Sequence, residues 1–301
     1  FTGRPHPSYG EAIPAVEIAQ WLRTPDAEEL PPAEPERVLS ELLSRMDVHL
    51  SRRDDEEGYA VRRGADAELL VRQRQGVISV ETDLGTLHAG DAIEALRSNY
   101  SDPVGALALR PAEGSDELVW VARLSADAAN AVYLEYVMRM AAVERSRWQR
   151  ISAGLEADYP YEHYPGGDEE KLAEQLAGIV TQSGLPNEAS GEGHKLYPDA
   201  TVPVFTNEFQ GMAYVFAYSG GVPGDDAAEQ EQIARELVRR NWEMPLGRLA
   251  LDKHLDLAWE AQVPMEHLTP QYLGALARVC QAEVSRIDST YGDIPFNEQE
   301  Q

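Results

Sequence analysis

The sequence predicts an α+β chain built twice over, each unit running α-βββ-α-ββ-α. Three observations predict it. A fifteen-residue segment recurs, ALRSNYSDPVGALAL at 95–109 and LVRRNWEMPLGRLAL at 237–251, at a spacing of 142 and with seven identities, where ordinary composition gives roughly one. After a three-residue contraction the register resumes at a spacing of 139, pairing Leu118/Leu257, Trp120/Trp259, Ala122/Ala261, Tyr133/Tyr272, Glu144/Glu283 and Arg147/Arg286. The 301 residues are enough for two ordinary cores, and a repeat of this length is domain-sized rather than solenoidal. The expected division is an irregular arm at 1–33, a first domain at 34–155, a linker at 156–167, a second domain at 168–290 and a tail at 291–301.

Each element has a local reason. Residues 1–33 are Pro-rich, with IPAVEIAQWLRT suited to a short helix inside them. Residues 35–50 carry Val38, Leu39, Leu42, Leu43 and Met46 at helical spacing, with Pro35 suited to a first turn. GYAVRR, AELLVRQ and GVISVET read as three short strands between turn signals. AGDAIEALRS reads as a helix that Asn99 stops in a left-handed conformation before Pro103. GALALR and ELVWVARL form a hairpin, and residues 127–151 a long helix with Leu134, Val137, Met138 and Ala141 as its stripe.

The second unit repeats this order. Helices are expected over 169–182, 227–240 and 269–287, the last with Thr269 as N-cap and Pro270 in its first turn. Strands are expected at KLYP, VPVFTNEF, MAYVFAYS, LGRLAL and LDLAWEAQV, and Asn241 repeats the stop. Cys280 shares a face with Leu273, Leu276 and Val284 and reads as a small core residue.

Charge and composition narrow the function. The 26 basic and 52 acidic residues give a net charge of −26, which repels nucleic acid and anionic membranes and attracts basic partners. Arg52, Arg53, Arg62, Arg63, Arg72 and Arg74 cluster locally, but against that charge they do not make a nucleic-acid site. One cysteine leaves no internal disulfide and no multi-cysteine metal site. No apolar run is long enough to span a membrane, and FTGRPHPSYG lacks a secretory signal layout. The expected setting is cytoplasmic.

No catalytic spacing occurs: neither a nucleophile elbow, nor a zinc-protease helix, nor a phosphate loop, nor a paired-cysteine motif. GEGHK at 191–195 reads as a turn. The seven histidines share no helical spacing, and the acidic runs at 54–57 and 168–170 read as solvated turns and helix starts. No cofactor, metal or catalytic residue is therefore expected. In YPYEHYP, Tyr159, Tyr161 and Tyr164 are candidates for docking a partner peptide or for packing the linker onto a domain.

The repeats also differ. Leu118, Trp120 and Ala122 match Leu257, Trp259 and Ala261 on the strand face toward the helices. On the opposite face Val119 and Val121 stand against Ala258 and Glu260, and Ala106 stands against Arg248. Ala106, Val119 and Val121 thus form an apolar patch expected to serve self-association or client binding. It would be covered by a second copy, as a homodimer, or by the second unit. Arg248 and Glu260 are expected to stay wet.

The element order, the L-x-x-N at the end of the middle helix and the segment LAWEAQVPMEHLTPQYLGALARV at 257–279 resemble the YbjN family of bacterial proteins. At the level of fold they resemble the type III secretion chaperones. The VP-x-x-x-LTP junction at 263–270 is the most specific piece; the first unit reads LSADAANAV there. The resemblance implies a type III secretion chaperone-like architecture and a non-catalytic, typically dimeric protein that binds a protein client. The net charge points to a basic or nucleic-acid-binding client. The alternatives are an enzyme whose acidic site assembles only in the fold, and an acidic decoy that mimics DNA.

Overall fold

Two six-stranded antiparallel sheets and six α-helices make up the described part of the chain. The computed structural model describes residues 36–46, 48–53, 58–62, 68–74, 76–112, 115–126, 129–155, 164, 169–191, 193–199 and 202–291. The arm at 1–33 and the short helix expected in it, the acidic run 54–57, Tyr159, Tyr161 and residues 292–301 lie outside them.

The first half runs α1 (Glu36–Leu43), β1 (His49–Arg53), β2 (Gly58–Arg62), β3 (Leu69–Arg74), β4 (Val77–Gly85), α2 (Ala92–Ser101), β5 (Gly105–Arg110), β6 (Glu117–Ser125) and α3 (Ala131–Ser152). The second runs α4 (Glu169–Gln182), β7 (Asn187–Ser190), β8 (Gly193–Leu196), β9 (Val204–Phe209), β10 (Met212–Gly221), α5 (Ala227–Glu243), β11 (Arg248–Leu251), β12 (Asp256–Pro264), a 3-10 turn (Met265–His267) and α6 (Pro270–Tyr291). The sheet orders are β1-β2-β3-β4-β6-β5 and β7-β8-β9-β10-β12-β11. The halves therefore share one topology, and even one irregularity. The register shifts between Asp83 and Gly85 in β4 and between Tyr218 and Gly220 in β10.

Each half holds four strands before its middle helix, not the three expected. β1 was hidden because the helical pattern at 35–50 reaches into it; α1 ends at Leu43 and His49 already pairs with Arg62. β7 was hidden because Asn-Glu-Ala-Ser has no strand-forming side chain. Its ladder to β8 holds it.

Helices α3 and α6 cover the inner faces of the sheets, α3 on β4 and β6, α6 on β10 and β12. Trp120 and Trp259 are fully buried there. The repeated Gly105 and Gly247 explain themselves beside them. A Cβ on Gly105 would lie 2.1 Å from the Trp120 ring, and one on Gly247 would lie 2.1 Å from that of Trp259. Start signals held: Thr269 Oγ1 accepts from Tyr272 N at 3.1 Å, capping α6. Cys280 is buried in the core, and burial pushes its thiol well above the ordinary range.

The halves meet through their sheet edges. β5 and β11 are edge strands, and an edge presents unpaired N–H and C=O groups. Helix α2 of the first half packs on β11, and α5 of the second packs on β5. Asn99 Nδ2 donates to the carbonyls of Leu107 and Leu249, each at 3.2 Å. Asn241 Nδ2 donates to the same two carbonyls at 3.3 and 3.1 Å. Their Oδ1 atoms accept from Leu107 N at 2.6 Å and Leu249 N at 2.7 Å. The two repeated asparagines thus satisfy both edges from inside the junction. Neither residue has a positive φ, and both lie within their helices, which corrects the left-handed stop expected from sequence.

Further cross-junction bonds accompany this clasp. Glu231 on α5 accepts from Gly90 N, Ala92 N and Ile93 N at 3.0, 2.8 and 3.3 Å, so it caps α2 from the other half. Arg123 on β6 donates to the carbonyls of Asn241 and Trp242.

Candidate functional site

Alternation along β10 builds the site. Ala213, Val215 and Ala217 face the core and are 1% exposed or less. Met212, Tyr214, Phe216 and Tyr218 must then face outward, because successive strand residues point to opposite sides. On β12 the outward set is Ala258, Glu260 and Gln262, paired with Tyr218, Phe216 and Tyr214. On the other flank Asn207 pairs with Tyr214, and Phe205 pairs with Phe216. The rings interlock: Phe205 stacks on Phe216 at 5.6 Å, and Phe216 meets Tyr218 edge-on at 5.9 Å.

The first half supplies a wall over this floor, closing a cleft of about 480 Å³. Tyr100 leans in from the end of α2, its hydroxyl 3.3 Å from that of Tyr218. Tyr136 on α3, Tyr164 and the half-exposed Phe209 complete the aromatic lining. Tyr164 packs edge-on against Tyr133 and Tyr136 and donates to Glu266. It is 4% exposed, so it lines the cleft as a packed residue.

Glu260 is the one carboxylate among the described lining residues, and no histidine is among them. It is 3% exposed. Arg248 binds it through Nε at 2.9 Å and Nη2 at 2.6 Å, and also donates to the Asp102 carbonyl. Burial raises the Glu260 carboxyl to about 7, against the pull of Arg248. The expectation that Arg248 and Glu260 stay wet is corrected: the abutting half buries both, and they persist as a hydrogen-bonded pair. Burial, aided by the Glu260 charge, raises Tyr214 to about 12. Burial likewise raises Tyr100 and Tyr218, so the hydroxyls stay protonated. No group of three or more metal-ligating side chains occurs among the described residues.

Ala106, Val119 and Val121 lie elsewhere, on the outer face of the first sheet, and are 3%, 0% and 2% exposed. Trp242, from α5, packs on Val119 and Val121. Within the single chain this face is therefore covered by the second half, one of the two coverings expected from the sequence. The reason is the crossing of α5 onto β5, which delivers a second-half ring to a first-half sheet. The cleft itself went unread in the sequence, though MAYVFAYS carries its signal: large rings at every second position, small apolar residues between.

Protein-family models and curated proteins give no match to this chain, so the YbjN resemblance gains no support from them. Among solved structures, part of the chain is similar to the Yersinia pestis type III secretion chaperone SycH, solved in complex with a stable fragment of YscM2. Identity is 18% and the TM-score 0.30, over 38% of this chain and 97% of that one. No helix among the described residues is long and apolar enough to cross a membrane.

Proposed function

We propose that this chain is a non-catalytic, chaperone-like adaptor that holds an extended segment of a client protein in the aromatic cleft. The observation that carries the reading is the outward row Tyr214, Phe216 and Tyr218 on a central strand, roofed by Tyr100. Large rings give contact area at low conformational cost, and a few polar groups among them set orientation. The net charge of −26 favours encounter with a basic client, in a cytoplasmic setting.

Shared strand order and a shared bulge support a tandem duplication of one chaperone-like domain, over 34–155 and 168–290. On this reading the first copy closed its outer face and the second kept it open.

Replacing Phe209, at the mouth of the cleft, with a photo-cross-linking phenylalanine tests the reading. Irradiation in native lysate should yield polypeptide adducts, identified by mass spectrometry, that weaken in a Phe216→Ala background. Irradiation without any polypeptide adduct would reject the adaptor reading.

A further inference from the structure

One carboxylate oxygen in the cleft has no hydrogen bond among the described residues. Both Arg248 bonds to Glu260 end on Oε1, and none reaches Oε2. Asn207 Oδ1, also in the lining, is buried without a partner. Glu260 Oε2 is therefore an acceptor left over, set among aromatic faces.

The cleft is also short of positive charge. Glu260 and Asp252 both act on the rings of Tyr100 and Tyr218, adding to burial in raising their hydroxyls. Arg248 offsets only one of those two charges.

In the first half, arginines already sit on a ring beside carboxylates. There Arg110 and Arg123 each lie 5.8 Å from the centre of the Trp242 ring. Arg110 also pairs with Asp83 at 2.6 Å and Glu117 at 2.7 Å, with Glu81 at 3.8 Å. In the repeat register Trp242 matches Tyr100, Arg110 matches Asp252 and Arg123 matches Gln262. The second half has the rings of Phe216 and Tyr218 where the first has Glu81 and Asp83, carries its own acid at Glu260, and lacks both arginines.

A group that is planar, positive, all donor and at home on aromatic faces is a guanidinium. We propose that the cleft binds an extended segment of a protein partner through an arginine side chain, its guanidinium set on the rings of Phe216 and Tyr218 and donating to Glu260 Oε2. This rests on the adaptor reading and names its ligand chemistry.

The test uses the whole chain and three synthetic peptides, Gly-Pro-Arg-Ser-Gly-Arg-Pro and its lysine and citrulline counterparts, capped at both ends and titrated calorimetrically. The arginine peptide should bind about tenfold tighter than the citrulline peptide, a difference of ~1.4 kcal/mol, and several-fold tighter than the lysine one. Glu260→Gln should erase the arginine preference. Because that change also touches the junction, Tyr218→Ala, checked for fold by circular dichroism, should erase it too. Equal binding of arginine and citrulline peptides would overturn the guanidinium inference and leave the adaptor reading standing. Binding of none overturns the inference, and the Phe209 cross-linking then decides the adaptor reading separately.

Discussion

The outer faces of the two sheets occupy the same place in the same topology and have opposite fates. β4 presents Val77, Ser79, Glu81 and Asp83 where β10 presents Met212, Tyr214, Phe216 and Tyr218, the two strands being aligned by their shared bulge. The next strands pair Ala106 with Val121 in one half and Arg248 with Glu260 in the other. Trp242 closes the first face under two arginines, whereas Tyr100 only roofs the second. One scaffold thus carries a sealed face and an open one, and the difference lies in a handful of outward strand positions.

The largest expected effect comes from making the first face imitate the second by half. Val121→Glu alone should destabilise the chain by about 3–5 kcal/mol, since it buries a charge without its partner. Adding Ala106→Arg should restore part of that loss. Chemical denaturation of both variants measures it, and an additive double variant would show that the two faces are not built alike at this pair.

Removing the rings should separate the faces next. Trp242→Ala should cost about 3 kcal/mol because it uncovers Val119 and Val121. Tyr100→Ala should cost under about 1 kcal/mol, since this side chain is over a third exposed. Equal losses in thermal melts would contradict the sealed-versus-open distinction.

The junction should behave symmetrically where the faces do not. Asn99→Leu and Asn241→Leu should each cost about 2 kcal/mol by leaving edge-strand groups unsatisfied. The two losses should be strongly coupled, because both side chains donate to the same two carbonyls. Additive losses in a double-mutant cycle would argue against the shared clasp.

The most gradual effect is a pH slope. The Glu260 carboxyl rises from 4.5 to about 7 on folding, chiefly through burial. Between those values the folded chain binds more protons at this group than the unfolded chain does. Its contribution to stability therefore falls as pH rises from 4.5 to about 7, by at most ~1.4 kcal/mol per pH unit. Denaturation midpoints compared with those of Glu260→Gln should show the wild type losing more over that window. Parallel pH profiles would remove the shift.

Much of the fold was legible because it is local or periodic. The inward faces of β6 and β12, the caps of α6 and the helix at 169–182 follow from spacing alone. The cleft was not legible as a cleft, since its roof and floor come from residues more than a hundred positions apart, Tyr100 and Tyr218 among them. Nor were the roles of Asn99 and Asn241. Asparagine before a proline suits a helix stop, and nothing local says that a second sheet edge will arrive to receive its amide.

By itself, then, the sequence determined a mixed α+β chain, its inner faces, the glycines that make room for its tryptophans and an acidic surface. Those depend on side-chain period, size and charge, which each segment carries with it. Only the tertiary structure decided that Arg248 and Glu260 lie buried, that Trp242 seals Val119 and Val121, and that Tyr214, Phe216 and Tyr218 line a cleft. Those depend on how two sheet edges and two helices cross. Burial belongs to what a residue meets, and here each half meets the other.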